Sequence, residues 1–239
     1  MNVGVIFAGG SGTRMNSRAL PKQFLEIHGR PIIVHTLQHF EDHPDIDAVA
    51  VAILPEWRDH FTKLVNRYEL AKVRWVVDGG GTGHESRHRA LQAVAADFDD
   101  DTIVLIHDGV RPLIDAQLIS DNIEAVVLHG SAITSSKINE TIVTSDHDDI
   151  ADIIPRGNLY AARAPQSFRL GAVLAAYDAA VADGQNDMID SCSVMRAYSD
   201  LPLRRVDGPI SNIKITTAED FYICRTYFEL IENQQIVGF

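Results

Sequence analysis

The sequence predicts an α/β fold: a Rossmann-like, mostly parallel twisted sheet flanked by helices, with a protruding β-arm. Three observations lead there. Short apolar runs and helical patterns alternate four times through the first half, as parallel strands joined by right-handed crossovers require. The runs are continuous and rich in Val and Ile, the pattern of strands buried on both faces. Three of them end in loops of unusual composition, at the edge where open parallel sheets hold their ligands.

Taken in order, residues 3–7 read as a strand, 32–40 as a helix with Ile33, Leu37 and Phe40 on one face, and 48–54 as a strand. A helix over 56–68, a strand over 73–77, a helix over 85–96, a strand over 102–106 and a helix over 116–128 complete the alternation. It breaks at 133–154, two polar β-like pieces around an Asp-rich turn with little to bury, which form the arm (roughly 133–156). Mixed α/β structure resumes over 160–168, 173–182, 190–198, 203–206, 213–216 and 218–231. No linker, repeat or low-complexity segment divides the chain, so 1–239 reads as one domain with an arm.

Composition narrows the class. The 239 residues are 46% hydrophobic and 23% charged, ordinary for a soluble globular protein. No run approaches the ~18 apolar residues of a membrane helix, and the first residues do not form a signal peptide. Two cysteines make no disulfide framework and point to the cytoplasm. A net charge of −12 argues against a nucleic-acid partner, so positive residues close to glycines carry the information.

The first loop is Phe7-Ala8-Gly9-Gly10-Ser11-Gly12-Thr13-Arg14-Met15. It is neither G-x-x-x-x-G-K-[ST] nor G-x-G-x-x-G, since Met15 stands where the third glycine belongs. Gly9, Gly10 and Gly12 still allow several N–H groups to converge in a nest for phosphate oxygens. A tight turn with surface charges explains the glycines alone; Arg14 and Lys22 beside them favour an anion site. The second loop, from Asp78 to Ser86, carries Gly79, Gly80, Gly81 and Gly83 ahead of a helix. Either a flat group lies on this backbone or the chain simply turns, and Ser86 is either a ligand contact or a first-turn residue.

The third loop, His107-Asp108-Gly109-Val110-Arg111-Pro112, follows the strand TIVLI. An Asp at that strand end suits a Mg²⁺ shared with substrate phosphates, which takes one or two carboxylates and keeps waters. Alone, Asp108 reads as a turn or cap residue; Gly109 and Arg111 at a switch-point loop favour the metal. In Asn212-Ile213-Lys214-Ile215-Thr216, read as a short strand, Lys214 faces away from its isoleucine neighbours, into the cleft or as an edge-protecting lysine.

In this order the pieces resemble the cytidylyltransferases of the IspD/TarI type, enzymes of methylerythritol-phosphate metabolism and of ribitol-5-phosphate activation for wall and capsule synthesis. The resemblance covers essentially the whole chain: AGGSGTRM, LPKQF, HDGVRP, the arm around Thr141, Arg156 with PQSF, IDSCSV and NIKITT. It implies a CTP-dependent nucleotidyltransferase that moves CMP to a polyol phosphate, with Mg²⁺ as cofactor and a homodimer formed through the arm. Carried over, Ala8, Gly9, Gly10, Gly12 and Thr13 wrap the CTP, Arg14 holds its phosphates, and Lys22 and Lys214 flank the α-phosphate. Asp108 coordinates the metal and nucleotide, and Gly80, Gly81 and Ser86 touch the nucleoside. Gly109, Arg111 and Asp190 serve the acceptor, while Thr141 and Arg156 bind its phosphate across the dimer.

The acceptor phosphate is already an ionised nucleophile, so alignment and charge neutralisation suffice and no general base is needed. The ten histidines need no catalytic role, and His107 reads as structural. Three departures mark the chain. Gly83 stands where many relatives have an arginine, leaving His84, Arg87 or His88 to replace it. HDGVRP is closer to the ribitol type than HDAARP, and Ile189 replaces a threonine that serves methylerythritol-type acceptors. Ribitol 5-phosphate is therefore the expected acceptor, with methylerythritol phosphate, or another NTP and a sugar phosphate, as alternatives. A nucleotide-binding module without turnover is disfavoured by the retention of Arg14, Lys22, Asp108 and Lys214.

Overall fold

The structure is a computed structural model and describes residues 1–9 and 20–237. In chain order its strands are β1 (Asn2–Ala8), β2 (Glu26–Ile27), β3 (Arg30–Pro31), β4 (Ala48–Ile53), β5 (Val73–Asp78), β6 (Ile103–Asp108), β7 (Ser131–Lys137), β8 (Ile142–Asp146), β9 (Asp149–Ile154), β10 (Tyr160–Arg169) and β11 (Arg205–Asp207). The helices are α1 (Ile32–Asp42), α2 (Arg58–Arg67), α3 (Gly83–Ala95), α4 (Ala116–His129), α5 (Leu170–Ala182), α6 (Ser191–Tyr198) and α7 (Ala218–Val237).

Seven strands form one sheet in the order β11-β7-β10-β6-β1-β4-β5. The β6-β1-β4-β5 half is parallel, as the crossovers require. β10 runs antiparallel to both β6 and β7, which makes the sheet mixed. The period-two pleat of β1 sends Val3 and Val5 to one core and Ile6 to the other. α1, α2 and α4 cover the Ile6 face; α3, α5 and α6 cover the opposite face. Gly4 permits the first of these: a Cβ there would sit 2.8 Å from Phe40 Cδ1, so only glycine lets α1 pack this close. α7 closes a third cluster with Ile215, Cys224 and Val110.

Two expectations change. Residues 131–137 are the inner strand β7, held between β10 and β11, and not the start of the arm. What remains is the separate β8–β9 hairpin, with Val143, Ile150 and Ile153 exposed. Residues 213–216 form no strand; Ile215 N–H donates to Val110 O at 3.0 Å, and the segment runs extended beside the third loop. Among the described residues no helix is long and apolar enough to cross a membrane.

Candidate active site

β6 and β1 are neighbours and β5 stands one strand further on, beyond β4; all end at the same edge of the sheet, and the loops beyond β1, β5 and β6 build the site. At the end of β1 the Ala8 carbonyl accepts from Gln23 Nε2 at 2.7 Å, a buried bond that fixes the 3₁₀ turn Lys22–Phe24 against the strand. Lys22 is thereby set in the cleft, its Nζ 2.9 Å from Ile215 O. Beyond β5, Thr82 caps α3 by accepting from Glu85 N–H at 3.1 Å, and Glu85 Oε2 takes the Gly81 N–H at 2.7 Å, close to a capping box. The buried Ser86 hydroxyl donates to Thr82 O (2.8 Å) and accepts from Gly80 N–H (3.0 Å). One acceptor lone pair of that hydroxyl remains for a ligand. Ser86 is a first-turn residue that shapes the loop, and it also lines the cleft.

At the end of β6, Asp108 Oδ2 accepts from Arg111 Nε at 2.7 Å. Oδ1 lies 2.6 Å from Lys214 Nζ in an ion pair but accepts no well-aligned hydrogen bond. Burial alone would raise the Asp108 carboxyl; Lys214 and Arg111 outweigh it and hold the group well below the usual carboxylate range. His107 beside it is buried, pushed down to about 4 chiefly by that burial, and uses Nε2 on Arg111 O (3.0 Å). It is neutral and structural. Gly109 packs on β1, where a Cβ would stand 3.1 Å from Ala8 Cβ. A side chain there would press on β1.

Two cavities flank this carboxylate. One, of about 310 Å³, is walled by Ala8, Gly9, Lys22, Gly81 and Ser86 among others. The other, of about 210 Å³, is walled by Arg87, Arg111, Arg163, Gln166, Ile189 and Asp190 among others. Phe7, Asp108 and Lys214 line both. The Phe7 ring carries two cations, Arg87 Cζ at 4.9 Å and Lys214 Nζ at 5.3 Å from its centroid.

The expected site residues separate as follows. Ala8, Gly9, Lys22, Gly81 and Ser86 meet in the larger cavity, Arg111 and Asp190 in the smaller, and Asp108 and Lys214 in both. Gly80 and Gly109 line neither; the first is folded over Glu85 and the second lies under the site. Thr141 and Arg156 line neither; Arg156 donates to Asn139 O at 2.5 Å in a surface hollow of its own. Gly10, Gly12, Thr13 and Arg14 lie outside the described residues. Of the three candidates to replace the arginine absent at Gly83, only Arg87 reaches either cavity: it lies over Phe7, its Nη1 beside Gly83. His84 is buried against the Tyr177 ring and His88 pairs outward with Asp178.

Phe7, Gln23, Asn212 and Arg163 were not singled out by sequence reasoning. The aromatic just before the glycine loop and the Gln and Asn inside PKQF and NIK were visible signals; Arg163 carried none. The Cys192 thiol, next to this site, is pushed up to about 11 by burial first and Asp190 second, so it stays protonated and inert.

Sequence and structure comparisons place the whole chain in one family. The family profile described as IspD, 2-C-methyl-D-erythritol 4-phosphate cytidylyltransferase, matches residues 2–230. A ribitol-5-phosphate cytidylyltransferase from Streptococcus agalactiae serotype V is 47% identical, covering 100% of this chain and 99% of that protein. One from Vibrio parahaemolyticus is 44% identical, with 100% of both chains covered. The crystal structure of 4-diphosphocytidyl-2C-methyl-D-erythritol synthase from Anaerococcus prevotii superposes with a TM-score of 0.81 at 27% identity, over 95% of this chain and 96% of that one.

Proposed function

This chain belongs to the IspD family of cytidylyltransferases, and on that premise we propose that it transfers CMP from CTP to D-ribitol 5-phosphate, releasing pyrophosphate and giving CDP-ribitol. The observation that carries the reading is the pair of cavities meeting at Phe7, Asp108 and Lys214. In-line displacement at phosphorus needs attacker and leaving group on opposite sides of one charge-neutralising boundary, which this arrangement provides. The larger cavity takes CTP, with Lys22 on its phosphates and the spare Ser86 lone pair suited to the cytosine amino group. The smaller takes the acceptor: Ile189 offers an apolar wall, and Arg111 and Asp190 offer polar partners to a hydroxylated chain. Lys214, able to reach either side, neutralises the α-phosphoryl under attack.

A Mg²⁺ fits the donor set. Among the described residues no three His, Cys, Asp or Glu side chains group together, so no closed protein cage exists. Asp108, a single carboxylate on the wall shared by the two cavities, suits a Mg²⁺ carried in on substrate phosphates, and its Oδ1, ion-paired with Lys214 without a well-aligned hydrogen bond, would exchange that contact for the metal. Asp108 would hold it, and the ion would supply charge neutralisation at the triphosphate.

Thr141 and Arg156 enter the same proposal from a second copy, since within one chain they line neither cavity. The exposed Val143, Ile150 and Ile153 of the hairpin supply an apolar face for that homodimer. Arg156→Ala is then expected to raise the acceptor KM about tenfold with the CTP KM unchanged; steady-state kinetics with each substrate varied checks it, and an unmoved acceptor KM removes Arg156 from the role. A cytoplasmic location accords with the two free cysteines.

The deciding experiment is pyrophosphate release with each NTP against a panel of polyol and sugar phosphates. CTP with ribitol 5-phosphate should give the highest kcat/KM. Preference for methylerythritol phosphate, or absence of turnover with any pentitol or tetritol phosphate, overturns the assignment.

A further inference from the structure

The smaller cavity contains a cation that the reading above does not use. Arg163 lies where the β10 ladder with β7 shifts register, between Ala162 and Gln166. Such irregularities re-aim a side chain out of the regular strand alternation. Here the guanidinium lines the cavity wall together with Arg111 and Lys214. Its Nε donates to Ser136 Oγ at 2.9 Å and its Nη1 to Asn212 O at 3.0 Å. Arg111 Nη1 donates to that same carbonyl oxygen at 2.8 Å. Two guanidiniums are therefore held side by side on one acceptor, and Nη2 of each donates to nothing among the described residues.

The charge balance differs between the two. Arg111 has Asp108 as counter-ion, whereas among the described residues Arg163 has no carboxylate within ion-pair distance. Burial first, and the like charge of Arg111 second, depress its affinity for its own proton. A half-buried guanidinium with a cationic neighbour and only a carbonyl and a hydroxyl for partners is costly until an anion arrives. The free Nη2 edges of Arg111 and Arg163 present donors suited to two oxygens of one phosphate.

We propose that Arg163, paired with Arg111, grips the phosphate of the acceptor from within the same chain. The proposal rests on the cytidylyltransferase reading of the site. It adds an in-chain contact to whatever the hairpin of a second copy supplies, since a phosphate monoester offers three peripheral oxygens. Holding the acceptor phosphate on Arg111 and Arg163 also places it beside Lys214, at the boundary where the nucleotide's α-phosphorus is to be attacked.

The test is Arg163→Gln, which keeps a side-chain donor and removes the charge. The acceptor KM should rise about 10- to 100-fold, the loss of one charge-assisted contact, with the CTP KM and kcat at saturating acceptor within threefold of wild type. Arg163→Lys should recover part of the loss, and Ser136→Ala, which removes only the anchor, should raise the acceptor KM less than Arg163→Gln does. An acceptor KM unchanged in Arg163→Gln overturns the proposal while wild-type turnover leaves the reading intact. Equal increases in both KM values also overturn it, because they show that Arg163 only supports the Asn212–Lys214 segment. Should the wild type not turn over ribitol 5-phosphate, the reading fails, and titration of inorganic phosphate decides the anion site separately. Weaker binding to Arg163→Gln than to wild type upholds it, and equal binding overturns it.

Discussion

Lys214→Ala is expected to lower kcat by on the order of 10³-fold, about 4 kcal/mol of transition-state stabilisation, in a protein that still folds. The ammonium stands at the boundary of both cavities, over the Phe7 ring and against Asp108, where no other lysine lines the smaller cavity. Folding survives because Asp108 keeps Arg111 at 2.7 Å after the lysine is gone. Single-turnover rates with CTP and acceptor both saturating isolate the chemical step, and circular dichroism checks the fold. A kcat within tenfold of wild type would refute the α-phosphoryl assignment. A large rise in the CTP KM with normal kcat would make Lys214 a binding residue alone.

Asp108→Asn should have the second large effect, on activity and stability together. The carboxylate is the counter-ion of both Arg111 and Lys214, and Arg163 adds a further cation to the same cavity. Removing it leaves those cations facing one another, a loss of about 3 kcal/mol, roughly 6–12 °C in melting temperature for a chain of this size. Pyrophosphate or phosphate should restore part of that loss and raise the midpoint of the variant more than that of wild type. The pH dependence has a definite sign. Because Lys214 and Arg111 depress the folded-state carboxyl, its contribution is complete above the ordinary Asp value of about 3.9 and fades as pH falls below it. The variant should lose that part of its acid sensitivity. Equal melting temperatures and parallel acid-unfolding curves for the two proteins would show that the ion pairs contribute nothing.

Much of the frame was legible because it follows from local pattern. Continuous Val/Ile runs fixed the parallel half of the sheet, and the glycine and acidic loops after β1, β5 and β6 marked the ligand edge. The antiparallel half was harder. β7 has the residues SAITSSK, whose serines look exposed in sequence but are buried and bonded, Ser131 donating to Pro202 O and Ser136 accepting from Arg163 Nε. Polarity misled because neighbours across the sheet satisfy those hydroxyls, which no local window reveals. Alternation left Lys214 between the cleft and a protected edge; it lines both cavities, and its segment meets the third loop by a bond from Ile215 N–H and not by a ladder. Arg163 was invisible for a related reason: its direction depends on a register shift, a property of two strands together.

The two cavities draw on different stretches of chain. Apart from the shared boundary, the larger cavity, proposed for the nucleotide, comes largely from residues 8–86, whereas much of the smaller, proposed for the acceptor, comes from 162–191. Mutations that reshape the second stretch leave the first untouched, so a lineage can change what it activates without relearning how to use its nucleotide. Divergence among paralogues should then concentrate in that late stretch, and exchanging it between two of them should transfer acceptor choice while the nucleotide preference stays with the recipient.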